Sequence, residues 1–107
     1  MAGVEVKQLD NMKQNVLEAS ELLRVMSHPE RLMVLCQLTQ GEVGVGELQR
    51  HSSLSQSALS QHLTVLRKHN LVGVRKSSQQ VFYSLLDPRI ETLIGTLHHL
   101  FCESVEA

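Results

Sequence analysis

Two short helical segments joined by a very short turn constrain the fold of this chain more than any other feature. Residues 44–51 have the composition of a short helix, residues 52–54 that of a turn, and residues 55–70 that of a second helix. Ser55 is a suitable N-cap for the second helix, because its hydroxyl can accept a backbone N–H from the first helical turn. Two short helices connected in this way predict a helix-turn-helix unit over about residues 45–70.

The second helix of this unit has two chemically different faces. At 100° per residue, Leu59, Leu63 and Leu66 lie on one side and polar residues lie on the other. The polar and basic residues of interest are Gln56, Ser57, Ser60, Gln61, Thr64, Arg67 and Lys68. Ser, Thr and Gln can hydrogen-bond base edges in a DNA major groove, and those nearest the helix N-terminus are expected to penetrate deepest. Arg67 and Lys68, near the helix end, are better placed for phosphate.

The distribution of charge supports a nucleic-acid partner, although the average charge does not. The whole chain of 107 residues has a formal net charge of -1. The segment from Leu48 to Leu86 contains no Asp or Glu and has a formal charge of +5, which leaves -6 for the rest of the chain. Because cations must lie near phosphates to release counterions, the local field matters more than the average. A solvated surface that merely lacks acids is the alternative interpretation.

Residues 71–86 have the alternating pattern of a β-hairpin. Apolar residues alternate with polar ones on both sides of a polar stretch at residues 76–80, which is typical of a hairpin tip. Arg75 and Lys76 precede the tip and could reach backbone phosphate or a minor groove. We interpret this hairpin as a wing beside the helix-turn-helix unit.

Further helices are predicted on both sides of these elements. Over residues 7–26, apolar side chains recur at spacings of 3 and 4, which places them on one stripe of a helix. The members of this stripe are Leu9, Met12, Val16, Ala19, Leu23 and Met26. Ser27-His-Pro-Glu30 predicts a capping box that starts a helix ending near Gly41. Asp87-Pro88 predicts the start of a last, strongly apolar helix over about residues 88–103. Both terminal helices are expected to contact a partner subunit, although the first could equally pack on the chain's own core.

Size and composition favour one domain over residues 1–107. An apolar content of 42% suffices for a single, modest core. The longest apolar runs are far shorter than the roughly 18 residues of a membrane span, and no signal-peptide pattern is present. We therefore expect a cytoplasmic protein without a membrane partner. Cys36 and Cys102 form no CxxC pair, so reduced thiols are the expected default.

Three sequence blocks together resemble the ArsR/SmtB family of winged helix-turn-helix regulators. They are Ser27-His-Pro-Glu-Arg-Leu32, Leu54-Ser-Gln-Ser-Ala-Leu-Ser-Gln-His-Leu63 and Val81-Phe-Tyr-Ser-Leu85. The resemblance implies a mainly α fold with a β-hairpin wing (α+β), five helices, and a homodimer formed through the first and last helices. It also implies a regulator, not an enzyme, that binds an imperfect inverted repeat in promoter DNA and is released by an inducer. No cofactor is implied.

Two metal sites of this family can be compared with the sequence. One begins the third helix with Cys-x-Cys, where this chain has Gly44-Val45-Gly46. The other uses Asp-x-His and a later His-x-x-Glu; here Asp87-Pro-Arg89 lacks the His, and no Glu follows His98 or His99 at that spacing. We therefore expect no metal site. A metal-responsive repressor stays an alternative, because the last helix carries a set of side chains with ligand atoms. They are His98, His99, Cys102 and Glu103.

The two cysteines resemble those of a different branch of the family. Cys36 and Cys102 match the two thiols of the HlyU/BigR/SqrR-like subgroup, whose cysteines lie between the second and last helices and become joined by oxidation. The resemblance implies a repressor whose operator binding is switched by a reversible Cys36–Cys102 disulfide or polysulfide link, formed in response to reactive sulfur or oxidants. An activator that relieves silencing and two inert core cysteines are alternatives. A thiol enzyme is less favoured, because neither cysteine is expected at a helix N-terminus, where thiol pKa values fall.

Overall fold

The computed structural model describes residues 6–102, which form five α-helices and three β-strands. The helices are α1 (Val6–Met26), α2 (Pro29–Leu38), α3 (Val45–Arg50), α4 (Gln56–Lys68) and α5 (Pro88–Phe101). The strands are β1 (Val43–Gly44), β2 (Val72–Ser77) and β3 (Gln80–Leu85). The predicted mainly α arrangement with a β-hairpin is confirmed.

The strands form one antiparallel sheet in the order β1-β3-β2. Pairing of β2 with β3 runs from Val72 opposite Leu85 to Ser77 opposite Gln80, and the hairpin turns through Ser78 at a φ of 56°. This hairpin is the predicted wing. The sequence did not predict β1, because two residues are too few to show an alternating pattern. The short strand joins the start of α3 to the wing.

The core lies between the helices and one face of the sheet. It consists of Val25, Met26, Val34, Leu35, Leu38, Leu48, Leu59, Leu63, Leu66, Leu71, Val72, Tyr83, Ile90 and Ile94. The three leucines predicted on the packed face of α4 all belong to this cluster. Their burial holds α4 against the rest of the chain and leaves its opposite face in solvent.

The start of α2 differs from the predicted capping box. His28, and not Ser27, is the N-cap, and its Nδ1 accepts the backbone N–H of Glu30 at 3.1 Å. The Ser27 hydroxyl instead donates to the carbonyl of Arg24 at 3.2 Å. The reason is Pro29, which disfavours the helical conformation in the residue before it, so that His28 stays extended and becomes the cap.

The apolar stripe predicted on α1 contributes little to the core. Val25, which is outside the stripe, and Met26, its last member, are the buried residues of α1 among those that the structure describes. Exposed large apolar side chains on α1 and α5 are Leu9, Met12, Val16, Leu17, Leu23, Leu97, Leu100 and Phe101. Two helices therefore present apolar surface that the chain itself leaves uncovered. Within residues 6–102, no helix is both long and apolar enough to cross a membrane.

Candidate nucleic-acid interface

Side-chain hydrogen bonds help to hold the connection between α3 and α4. The Gln49 amide donates to the carbonyl of Leu54 at 2.8 Å, and the Ser52 hydroxyl accepts the backbone N–H of Leu54 at 3.1 Å. Ser55 caps α4 as predicted, because its hydroxyl accepts the backbone N–H of Ala58 at 3.1 Å. These contacts fix the angle at which the N-terminus of α4 leaves the turn.

The polar face of α4 is open to solvent along its whole length. All seven residues assigned to it from the sequence are exposed: Gln56, Ser57, Ser60, Gln61, Thr64, Arg67 and Lys68. The Thr64 hydroxyl donates to the carbonyl of Ser60 at 2.9 Å, which leaves its oxygen able to accept a further hydrogen bond. The structure thus places donors, acceptors and two cations on a single protruding surface.

The two basic residues of the wing differ in their environment. Lys76 is exposed beside the hairpin tip. Arg75 instead donates from Nε and Nη2 to the two carboxylate oxygens of Glu42, at 3.0 and 2.7 Å. Its guanidinium carbon also lies 4.7 Å from the centre of the Phe82 ring. The hydrogen bonds from Arg75 lower the pKa of the Glu42 carboxyl, so the pair is charged near neutral pH.

Only part of the positive charge of the acid-free segment, residues 48–86, is therefore available to bind phosphate. Arg50 pairs with Glu47, as Arg75 does with Glu42, so both arginines are neutralised by acids that precede the segment. No ion pair among residues 6–102 involves the other three basic residues of the segment. They are Arg67, Lys68 and Lys76. The unpaired cations lie at the C-terminal end of α4 and at the wing tip.

A polar cluster behind α4 attaches this helix to the start of α2. Arg31 donates from Nε to Nδ1 of His62 at 3.2 Å and from Nη1 to the carbonyl of Val25 at 3.0 Å. The rings of His28 and His62 are 4.2 Å apart. Burial, and then the charges of His28 and Arg31, lower the pKa of His62, whereas Glu30 opposes them. The neutral ring is the form that can accept the hydrogen bond from Arg31.

This cluster was not predicted from the sequence, although one local signal for it is present. His62 follows Leu59 by three residues and precedes Leu66 by four, so helical spacing places it on the packed side of α4. The contact with Arg31 crosses 31 residues of sequence and has no local signal. A further link is the Ser52 hydroxyl, which donates to Glu30 at 3.0 Å and ties the turn to α2.

The two cysteines are surface residues in the structure. Both Cys36, on α2, and Cys102, which ends α5, are exposed reduced thiols, so the core-cysteine interpretation is wrong. Partial burial raises the pKa of the Cys36 thiol, and the negative charge of Cys102 raises it further. A cavity of about 560 Å³ opens beside Cys36, and its lining includes Ile94, Gly95 and His98 of α5.

The positions that correspond to the two family metal sites lack a set of converging ligands among the described residues. Gly44 and Gly46 provide no side-chain ligand at the start of α3. Over residues 6–102, no three His, Cys, Asp or Glu side chains are grouped so that they could hold a metal ion. Glu103, a candidate on the last helix, lies outside the described residues.

A capped helix with an exposed polar face, presented by a second short helix and flanked by a hairpin with a basic tip, defines a winged helix-turn-helix DNA-binding protein. Residues 28–74 match the family described as bacterial regulatory protein, arsR family. The chain belongs to this ArsR family of transcriptional regulators, in its HlyU/BigR-like subgroup.

Similar proteins include both an activator and a repressor. The chain is 45% identical over 96 residues to the transcriptional activator HlyU of Vibrio cholerae, covering 90% of this chain and 89% of HlyU. It is 39% identical over 93 residues to the biofilm growth-associated repressor of Xylella fastidiosa, covering 87% and 82%. The solved structure of reduced HlyU from V. cholerae matches with a TM-score of 0.82 at 46% identity, covering 86% of this chain and 97% of that one.

Proposed function

We propose that this regulator is a cytoplasmic, homodimeric repressor whose binding to an inverted repeat in promoter DNA is switched by a reversible Cys36–Cys102 link. Reactive sulfur species or oxidants are the proposed inducers. The observation that carries the switch is the position of the exposed Cys36 thiol on α2, beside a cavity that is also lined by residues of α5, the helix that exposed Cys102 ends. The 39% identity of this chain to a biofilm growth-associated repressor supports repression as the effect on the promoter.

The DNA contacts in this proposal divide into base reading and phosphate binding. Gln56, Ser57, Ser60, Gln61 and Thr64 read bases in the major groove. Arg67, Lys68, Arg75 and Lys76 bind phosphate. The first group is exposed on one face of α4, and the second flanks that face at the helix end and on the wing. Side-chain amides and hydroxyls carry the hydrogen-bonding groups that distinguish base pairs, whereas cations bind any phosphate.

Two alanine variants on α4 test this division. Gln61→Ala is expected to weaken operator binding by about 1–3 kcal/mol with little change on random DNA, because it removes a base contact. Lys68→Ala is expected to weaken binding to both DNAs and to reduce the slope of log affinity against log salt by about 1. Fluorescence anisotropy on labelled duplexes at several salt concentrations measures both quantities.

A matched control for these variants is Gln14→Ala, on the side of α1 away from its apolar stripe. It should leave both affinities at the parental value. Equal losses on operator and random DNA for Gln61→Ala would remove this residue from the set of base-reading side chains.

The proposed dimer uses the surfaces that α1 and α5 leave uncovered. Val16 and Leu23 of α1 and Phe101 of α5 are 59%, 54% and 72% exposed, although each is large and apolar. Contiguous exposed apolar surface is typical of a subunit contact. A twofold dimer would present two copies of α4, and half-sites one helical turn apart need recognition helices about 34–36 Å apart.

The proposed link forms in two steps, each of which is the attack of a cysteine thiolate on a sulfur atom. A cysteine thiolate attacks a sulfane sulfur of a polysulfide, which leaves a cysteine persulfide and a shortened polysulfide anion. The second thiolate then attacks the inner sulfur of the persulfide, forms the disulfide and releases hydrosulfide. A cellular thiol reductant returns both cysteines to thiols. Incorporation of extra sulfur atoms would give a longer bridge between the same residues.

The Cys36–Cys102 link would change DNA affinity by moving helices relative to one another. Helix α2 packs against both α4 and α5. A bond from Cys36 to Cys102 would draw the end of α5 towards α2 and shift its exposed apolar face against the proposed partner subunit. Because half-site spacing is geometrically strict, a change in the separation of the two α4 helices lowers affinity without any contact at the DNA surface.

The test of the switch combines operator binding with intact mass. Reduced protein is expected to bind the operator, and polysulfide is expected to release it, while the chain loses the mass of two hydrogen atoms or gains sulfur. The chain has two cysteines, so any intrachain link joins Cys36 to Cys102. Cys36→Ser and Cys102→Ser proteins should stay bound after the same treatment.

Reduction of the linked parent should restore binding, which excludes irreversible damage. A response of either serine variant equal to that of the parent would reject the switch. Zinc added in place of polysulfide is the corresponding test for the metal-responsive alternative.

A second candidate outcome at the promoter is activation by relief of silencing. It is favoured by the 45% identity to a protein described as a transcriptional activator. DNA recognition and the thiol switch would be the same. A reporter gene distinguishes the two outcomes, because deletion of this regulator raises expression from a repressed promoter and lowers it from a silenced one.

A further inference from the structure

The ion pair between Glu42 and Arg75 connects two parts of the chain that lie 33 residues apart. Arg75 of β2 pairs in register with Phe82 of β3, and Phe82 pairs with Gly44 of β1. Glu42 directly precedes β1, so the sheet order β1-β3-β2 brings its carboxylate across Phe82 towards the guanidinium. The pair thus spans the width of the sheet.

The Phe82 ring lies between β1 and the arginine. A Cβ placed on Gly44 would meet the ring at 3.5 Å, an ordinary van der Waals contact, so the ring packs beside β1. The guanidinium carbon of Arg75 lies over the same ring, 4.7 Å from its centre. Stacking and two parallel hydrogen bonds together hold the guanidinium in one pose.

The Glu42 carboxylate occupies the same donors that a phosphate would use. Arginine presents parallel N–H groups that fit a carboxylate and a phosphate equally well. Both are engaged by Glu42 at 2.7 and 3.0 Å. The two side chains are 55% and 35% exposed, and an exposed ion pair of this kind contributes little net stability. A DNA phosphate can therefore displace the carboxylate, but binding then leaves Glu42 unpaired beside a polyanion.

We propose that Glu42 is an intramolecular competitor of DNA phosphate for Arg75, which limits the affinity of the wing for any duplex. This inference rests on the proposed phosphate contact of Arg75. Limiting a sequence-independent contact lowers binding to random DNA as much as binding to the operator. Retention at a promoter then depends more strongly on base reading by α4, and an inducer has less affinity to overcome.

The Glu42→Gln variant tests the proposal, because it keeps the size of the side chain and removes its charge. Affinity is expected to rise roughly two- to fivefold on operator and random DNA alike, the range that an exposed ion pair covers. The slope of log affinity against log salt should steepen by at most about 0.9, since Arg75 would then neutralise its phosphate without competition from the carboxylate. Fluorescence anisotropy across a salt series measures both.

Two comparisons separate this mechanism from a general charge effect. Asp10→Asn makes the same change of charge on α1 and should leave affinity and slope unchanged. In an Arg75→Ala background, Glu42→Gln should also have no effect, because the contested guanidinium is gone. An equal increase in either comparison would overturn the inference.

The remaining outcomes are also decisive. If Arg75→Ala alone leaves binding unchanged, the proposed wing contact fails and this inference fails with it, whereas the thiol switch and the α4 contacts are unaffected. If Arg75→Ala weakens binding but Glu42→Gln weakens it too, Glu42 orients the arginine for DNA, and only the competition is rejected. Thermal unfolding by circular dichroism verifies that every variant is folded.

Discussion

Replacing Val16 and Leu23 of α1 with aspartate is expected to convert the dimer to monomers and to lower affinity for a two-half-site operator about 10²–10⁴-fold. Both side chains are more than half exposed, at 59% and 54%, so the change costs the isolated chain little. In a dimer the four added charges would lie in an apolar contact. The large loss follows because the second half-site is then no longer bound intramolecularly.

Light scattering coupled to size exclusion measures the subunit number, and anisotropy on full and half operators measures the affinity. Gln14→Asp, on the opposite side of α1, is the matched control and should leave the protein dimeric. Affinity for a half-site should be the same for both variants and the parent. A dimeric Val16→Asp/Leu23→Asp protein would show that α1 is outside the subunit contact.

Shortening Leu66 to alanine is expected to lower the free energy of unfolding by about 2–5 kcal/mol. Leu66 is completely buried on the packed face of α4, and its carbonyl accepts the backbone N–H of Leu71 at 3.0 Å. The truncation removes buried apolar contacts and leaves a cavity beneath the recognition helix. This is a large share of the roughly 5–15 kcal/mol that stabilises a domain of this kind.

Chemical denaturation followed by circular dichroism measures this loss. Leu86→Ala is the control, since Leu86 is 57% exposed and its backbone N–H bond to Leu71 would be retained. It should change stability by about 0.5 kcal/mol or less, the usual range for surface positions. Equal losses for the two variants would mean that Leu66 is not part of the packed core.

Local signals accounted for the elements of the interface. The Ser55 cap, the turn before it and the leucine spacing of α4 depend on residues within a few positions of one another, so the recognition helix was predictable. The Asp87 cap of α5 and the hairpin at residues 71–86 are of the same kind. The cap of α2 was predicted one residue too early, because the effect of Pro29 on His28 outweighs the preference of serine for a cap.

The sequence by itself determined which residues of α4 face outwards and where the wing lies, because helical and strand periodicity are properties of neighbouring residues. Three short sequence blocks also indicated the family that the chain resembles. Only the tertiary structure decided how these residues are paired. Arg75 meets Glu42, and Arg31 meets His62, across about thirty residues of intervening chain. The sequence also left open whether Cys36 is buried; the packing of α2 places the thiol at the surface, beside a cavity that α5 also lines. Such partners depend on how whole elements pack, and no local spacing encodes that packing.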